Sequence, residues 1–145
     1  MPYGACSLGF PPQLIRRIYG ASKIYDTRSG IDPLFPETLL KDNELLSLVK
    51  VGEEFGTTTG RMRKTNWLNL DKLISAVKIS GTTIIIISKV DVIKKINVYK
   101  LYHNSNLLSF DTFTEMKKYI NTVLKENSNL LDEIIYSDTT ELTIL

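Results

Sequence analysis

The stretch Gly81-Thr82-Thr83-Ile84-Ile85-Ile86-Ile87-Ser88-Lys89-Val90-Asp91 decides the fold class. Four successive isoleucines leave no polar face, so this short β-branched run cannot be a surface helix. It reads as a strand over 82–88 buried on both faces, as in a parallel sheet. Just upstream, Asn69 is an N-cap, and Leu70, Leu73, Ile74 and Val77 follow at i, i+3, i+4 and i+7. That spacing predicts a helix ended by Gly81. Downstream, 96–102 reads as a second strand. Thr112 and Glu115 stand at capping-box spacing, before a stripe of Phe113, Met116, Ile120, Val123 and Leu124. Two short strands, 134–136 and 142–145, close the chain. Toward the N-terminus a short helix is expected over 36–49. Pro11 and Pro12 open another, with Leu14, Ile15, Ile18, Tyr19, Ala21 and Ser22 at helical spacing and Arg16, Arg17 and Lys23 outside it. The first dozen residues and 26–36 are loop. Helix, buried strand, helix, strand is an α/β order. No repeat or boundary divides the 145 residues, which make one domain.

Composition narrows the function classes. The chain is 43% hydrophobic and 23% charged, close to the globular averages of about 45–50% and about 25%, so it should fold or co-fold. Its net charge of +2 is too small to argue for nucleic acid, and none is expected as a partner. The one basic cluster, Arg61, Arg63 and Lys64, suits a small anion better. Cys6 is the single cysteine; it reads as a small, partly buried residue, and no Cys/His spacing suits a metal. His103, the single histidine, reads as a surface or core residue rather than a catalytic one. The start has no basic n-region and no apolar h-region, and the longest pure apolar run, 84–87, falls far short of the about 20 residues of a membrane span. No membrane association is expected, and the cytoplasm is the default location.

Three segments carry chemistry. In Gly56-Thr57-Thr58-Thr59-Gly60-Arg61-Met62-Arg63, glycines open backbone N–H groups to a ligand and hydroxyls donate to carboxylate or phosphate. Arg61 and Arg63, two apart on an extended segment, would point the same way and reach two anionic groups. An anion-binding loop and a solvated Thr/Gly loop both fit. In Ser88-Lys89-Val90-Asp91, at the end of the isoleucine strand, Asp91 could accept from N1–H and the exocyclic amine of guanine while the Lys89 stem lies along the base. A plain turn fits this segment too. The third segment runs from Tyr25-Asp26-Thr27-Arg28-Ser29-Gly30 to Pro33-Leu34-Phe35-Pro36. By itself it is only a structured loop with one arginine.

Together and in this order the segments resemble the adenylosuccinate synthetase family. That family has Tyr-x-Thr-Arg-x-Gly, then Gly-Pro-Phe-Pro-Thr-Glu, Gly-x-Glu-Phe-Gly-x-Thr-Thr-Gly-Arg, Gly-Trp-Leu-Asp, and a strand closing with Thr-Lys-Leu-Asp-Val. The counterparts here are 25–30, 33–37, 52–61, 66–69 and 88–92, and the ending 141–145 is similar to the family's last strand. The resemblance implies the C-terminal portion of a P-loop-NTPase-like synthetase fold, a mixed sheet with flanking helices, incomplete as a domain. It implies a ligase of purine biosynthesis that joins L-aspartate to the 6-position of a purine monophosphate, IMP to adenylosuccinate, with GTP as co-substrate. By that resemblance Thr58, Thr59, Gly60 and Arg61 would hold aspartate, and Arg61 would also touch the purine monophosphate. Arg63, Lys89, Asp91 and Ser137 would hold GTP. The viral version acting on dGMP is the neighbouring alternative, and a non-catalytic nucleotide-binding module is the alternative outside enzymes.

Departures from the pattern matter. Gly-Pro-Phe-Pro-Thr-Glu has become Asp32-Pro33-Leu34-Phe35-Pro36-Glu37-Thr38, one residue longer, and Met62 interrupts the basic run. The family's phosphate loop, catalytic Asp and catalytic His, and the Mg2+ ligands, correspond to nothing in this chain, which contains no Gly-x-x-x-x-Gly-Lys. The expectation is no catalytic residue and no metal ligand here, and no synthetase activity from these residues alone. A separate N-terminal chain or a homodimer would then cover the exposed sheet, with 84–87 the expected liability. Thr58 and Asp91 are expected to flank one pocket.

Overall fold

The isoleucine run lies at the centre of a parallel sheet. The computed structural model describes residues 2–33, 35–58 and 60–138. The chain runs α1 (Pro2–Ser7), β1 (Tyr19–Lys23), β2 (Tyr25–Arg28), α2 (Asn43–Gly52), β3 (Lys64–Asn69), α3 (Leu70–Ser80), β4 (Ile84–Ser88), α4 (Val90–Ile96), β5 (Tyr99–His103), β6 (Asn106–Phe110), α5 (Phe113–Asn127) and β7 (Glu133–Tyr136). One sheet has the order β1-β4-β7, all parallel, with Tyr19 opposite Ile84 and Ile84 opposite Glu133. The other is mixed, β2-β3-β5-β6: β3 and β5 are parallel and the outer pairs antiparallel. The chain crosses between sheets at Ile24, whose N–H donates to the Ser88 carbonyl at 3.0 Å. Ile24 and Tyr25 are both buried, so the crossing is part of the core.

The helices follow their apolar stripes. α2 buries Leu45, Leu48, Val49 and Gly52, and packs on α4 and β3. α3 buries Leu70, Leu73, Ile74 and Val77, and α5 buries Met116, Ile120, Val123 and Leu124; these two meet each other and β5. The caps are those the residues announce. Asn69 accepts from the Lys72 N–H, Thr112 accepts from the Glu115 N–H, and Gly81 ends α3 with φ 66°. Among the described residues no helix is long and apolar enough to cross a membrane.

The structure corrects several expectations. Residues 11–22 form one 3-10 turn, Pro12–Leu14, followed by strand β1, not a helix. The edge of β4 offers residues 19–23 a full hydrogen-bond ladder. Gly20 allows the approach, since a Cβ there would stand 3.0 Å from the Thr82 side chain. Glu37–Lys41 is a 3-10 turn, and α2 starts only after Asp42, whose carboxylate accepts from the Glu44 and Leu45 N–H groups. Val90–Ile96 is a helix that no cap residue announces: Lys89 enters it at φ 65° with no side-chain cap bond. β5 therefore begins at Tyr99. It turns into β6 through Asn104 and Ser105, whose φ values of 50° and 61° are the positive pair that a two-residue hairpin turn requires. The expected strand 142–145 lies outside the described residues.

Candidate functional site

The carboxyl ends of a parallel sheet are where open α/β folds place ligands. Here β1 ends at Lys23, β4 at Ser88 and β7 at Tyr136. The Ser137 N–H donates to the Ile87 carbonyl at 2.9 Å, and the Ser137 carbonyl accepts from the Val90 N–H at 3.3 Å. These bonds bring Lys89, Asp91 and the buried Ser137 together at the entrance to α4. Lys89 adopts left-handed backbone, and its Nζ donates to the Gly52 carbonyl at the end of α2, 3.1 Å away. Asp91 is half-buried and pairs with Lys95 at 3.0 Å.

The threonine loop is a hairpin anchored at its foot. Phe55 and Met62 form its bridge, the Gly56 N–H donates to the Arg61 carbonyl at 2.8 Å, and the Arg63 N–H to the Glu54 carbonyl at 2.9 Å. Gly60 turns the chain at φ 63° and donates to the Gly56 carbonyl at 2.8 Å. Thr57, Thr58 and Gly60 are exposed, and Thr59 lies outside the described residues.

At the foot sits Glu54, 2% exposed. Its Oε1 accepts from Lys23 Nζ at 2.6 Å and from the Tyr25 hydroxyl at 2.8 Å, and its Oε2 accepts from Arg63 Nη1 at 3.2 Å. Burial opposes the charge of Glu54, but the donors from Lys23, Tyr25 and Arg63 outweigh it and hold the carboxyl below the usual range. Burial, reinforced by Glu54, pushes the Tyr25 hydroxyl far above its ordinary range, so it remains a donor. This cluster joins the hairpin foot to the carboxyl end of β1.

A cavity of about 570 Å³ opens on the hairpin, lined by Gly56, Arg61 and Met62 together with Arg28, Ser29, Gly30, Glu37 and Lys64. Arg28 and Lys64 are register partners across β2 and β3. Arg28 Nε pairs with Asp32 at 3.0 Å, and Lys64 Nζ binds the Glu37 carboxylate and the Phe35 carbonyl. Neither Lys89 nor Asp91 lines this cavity. What links it to the strand tips is the hairpin foot, through Glu54 and the Lys89–Gly52 bond. The alternation rule put Arg61 and Arg63 on one face. In the structure Arg61 lines the cavity, while Arg63 is held at the foot by Glu54. Sequence reasoning placed Lys64 in the basic cluster but missed Arg28 and Glu54 as site residues. A cation in a Gly-punctuated loop was the only signal for Arg28, and its neighbour Lys64 is 36 positions away along the chain, brought there by strand pairing.

The remaining singled-out residues have structural roles. His103 Nδ1 meets the Tyr119 hydroxyl at 2.7 Å, and its Nε2 is 3.8 Å from Asp71. It pins the β5–β6 hairpin to α5 and α3. Cys6 is exposed rather than partly buried. Among the described residues no group of three or more His, Cys, Asp or Glu could hold a metal.

Comparison with known proteins gives three findings. The family model described as adenylosuccinate synthetase matches residues 2–134. Adenylosuccinate synthetase of Yarrowia lipolytica is 42% identical over 110 residues, covering 72% of this chain and 25% of that protein. The enzyme of Flavobacterium johnsoniae is 39% identical over 113 residues, 74% of this chain and 26% of that protein. The chain thus spans about a quarter of the length of these relatives. The structure of fully ligated adenylosuccinate synthetase from Plasmodium falciparum superposes with a TM-score of 0.64 over 90% of this chain and 39% of that chain, at 20% identity, and so shares the fold.

Proposed function

The chain belongs to the adenylosuccinate synthetase family, and on that premise we propose that it is the substrate-gripping portion of a GTP-dependent ligase joining L-aspartate to the 6-position of a purine monophosphate. The observation that carries this reading is the gathering of Lys89, Asp91 and Ser137 at the carboxyl end of the parallel sheet, tied to the foot of the threonine hairpin. Asp91 would accept from N1–H and the exocyclic amine of guanine. Its pair with Lys95 is a partly exposed i,i+4 contact, worth about 0.3–0.5 kcal/mol, and is easily exchanged. Lys89 would lay its stem along the base, and Ser137 would meet the ring edge. Arg63 would offset phosphate charge while Glu54 holds its guanidinium in place. Thr58, Thr59 and Gly60 would donate to the aspartate carboxylates, and Arg61 would bridge aspartate and the purine monophosphate. Mg2+ would accompany the GTP phosphates, and its ligands are not among these residues.

The test is calorimetric titration of the 145-residue chain with GTP and ATP. GTP is expected to bind more tightly, and Asp91→Asn to lose about 10- to 100-fold of that preference, the worth of charge-assisted bonds left unmade. Equal binding of the two nucleotides, or a preference untouched by Asp91→Asn, would sink the reading. The alternative is a non-catalytic nucleotide-binding module. Both readings expect no succinyl-nucleotide from this chain alone in a coupled assay. They separate when relatives' upstream residues are supplied as a second chain: restored turnover supports the ligase portion, and GTP binding without turnover supports the module.

A further inference from the structure

We propose that the cavity between the Arg28 and Arg61 segments is an anion pocket two of whose cations are neutralised by the chain's own carboxylates, Asp32 and Glu37, which a small carboxylate- or phosphate-bearing ligand must displace. The inference rests on the reading above for its aspartate arm only. The pocket has the size of a small-molecule site, about 570 Å³. Three cations border it: Arg28, Arg61 and Lys64. Two of these are register partners on adjacent antiparallel strands, where like charges repel unless an anion lies nearby.

Such anions are present, and both come from the loop after β2. Asp32 pairs with Arg28 at 3.0 Å and Glu37 with Lys64. The second pair is lopsided. The Lys64 side chain is 14% exposed and further tethered to the Phe35 carbonyl, whereas that of Glu37 is 75% exposed. The cation is built into the wall, and the acid reaches it from solvent. Each pair keeps one solvent-reached partner, Arg28 in the first and Glu37 in the second, so a dianion contacting more than one cation can compete for the cations. Asp32 stands where the pattern Gly-Pro-Phe-Pro-Thr-Glu has its Gly, so the Arg28–Asp32 pair is a departure from that pattern.

The test titrates the full chain at low salt with succinate, L-aspartate and inorganic phosphate. The double variant Asp32→Asn/Glu37→Gln is expected to bind at least one of them about 5- to 30-fold more tightly than the unaltered chain, the scale of two released surface pairs. Adding Lys64→Met should remove most of the gain. Should the double variant fail to fold, Glu37→Gln alone gives the same comparison at an exposed position, with about a fivefold gain. Equal or weaker binding by the folded variant overturns the proposal, as does no binding of any of the three. Succinate and phosphate tightening while L-aspartate shows no preference would uphold the pocket and defeat the aspartate reading. L-Aspartate binding both proteins equally well, with no tightening of succinate or phosphate, would defeat the pocket and leave the aspartate reading standing.

Discussion

Glu54 and Asp26 are carboxyls whose environments push them in opposite directions. Glu54 is buried but outbid by three donors, so its folded-state carboxyl ionises below the ordinary 4.5. Its contribution to stability is therefore complete above about pH 4.5 and is lost as pH falls through the lowered value. Glu54→Gln should cost about 1–3 kcal/mol at pH 7 in urea unfolding, and should flatten the loss of stability on acidification. Asp26 is raised above 3.8 by burial, only partly offset by the Asn69 N–H and Lys72. Its ionisation opposes folding as pH rises from 3.8 through the raised value. Asp26→Asn should accordingly raise Tm at pH 7, and a lower Tm would show that the Asn69 contact dominates. None of this was legible in sequence. The pattern Gly-x-Glu-Phe-Gly singles out Glu54 over the exposed Glu53 beside it, but nothing local says that its partners are Lys23, Tyr25 and Arg63.

At the scale of elements, α2 ends against the Glu54 cluster. A Cβ on Gly52 would lie 2.7 Å from the Tyr25 hydroxyl and 3.4 Å from Val92, so Gly52→Ala should push Tyr25 off Glu54. The expected cost is about 1–3 kcal/mol by chemical denaturation, larger than the small gain a helical Ala would otherwise bring. Thr112→Ala tests the opposite kind of feature, one visible in sequence. It removes the acceptor for the Glu115 N–H and should cost about 1 kcal/mol. α3 and α5 were readable because cap and stripe lie within one contiguous stretch and agree. β1 and α4 were not. Residues 14–22 carry a helix-like spacing, but their backbone partners lie in β4, 65 positions on. Val90–Ile96 starts without a side-chain cap, and its Val90 N–H meets instead the Ser137 carbonyl from a distant part of the chain.

For the whole molecule, the isoleucine strand is not the exposed liability it was expected to be. It is the middle strand of its sheet, and Ile84, Ile85 and Ile87 are buried. Exposed apolar side chains cluster in sequence before it, at Leu8, Phe10, Leu14 and Tyr19, and the outer edge of β1 pairs with no described strand. The 145-residue chain is expected to elute above its 16.5 kDa mass in sizing chromatography and to bind an apolar dye. Phe10→Lys with Leu14→Lys should reduce both, and unchanged elution of the variant would place the contact elsewhere. The sequence by itself determined the α/β class, the capped helices, the buried strand and the family, because each is written in residues close together along the chain. Tertiary structure alone decided that 19–23 is a strand, that Arg28 stands beside Lys64, and that Glu54 binds Lys23, Tyr25 and Arg63 at once. Those are pairings across tens of residues, and their energies depend on burial and on charges meeting in space, quantities with no local signature.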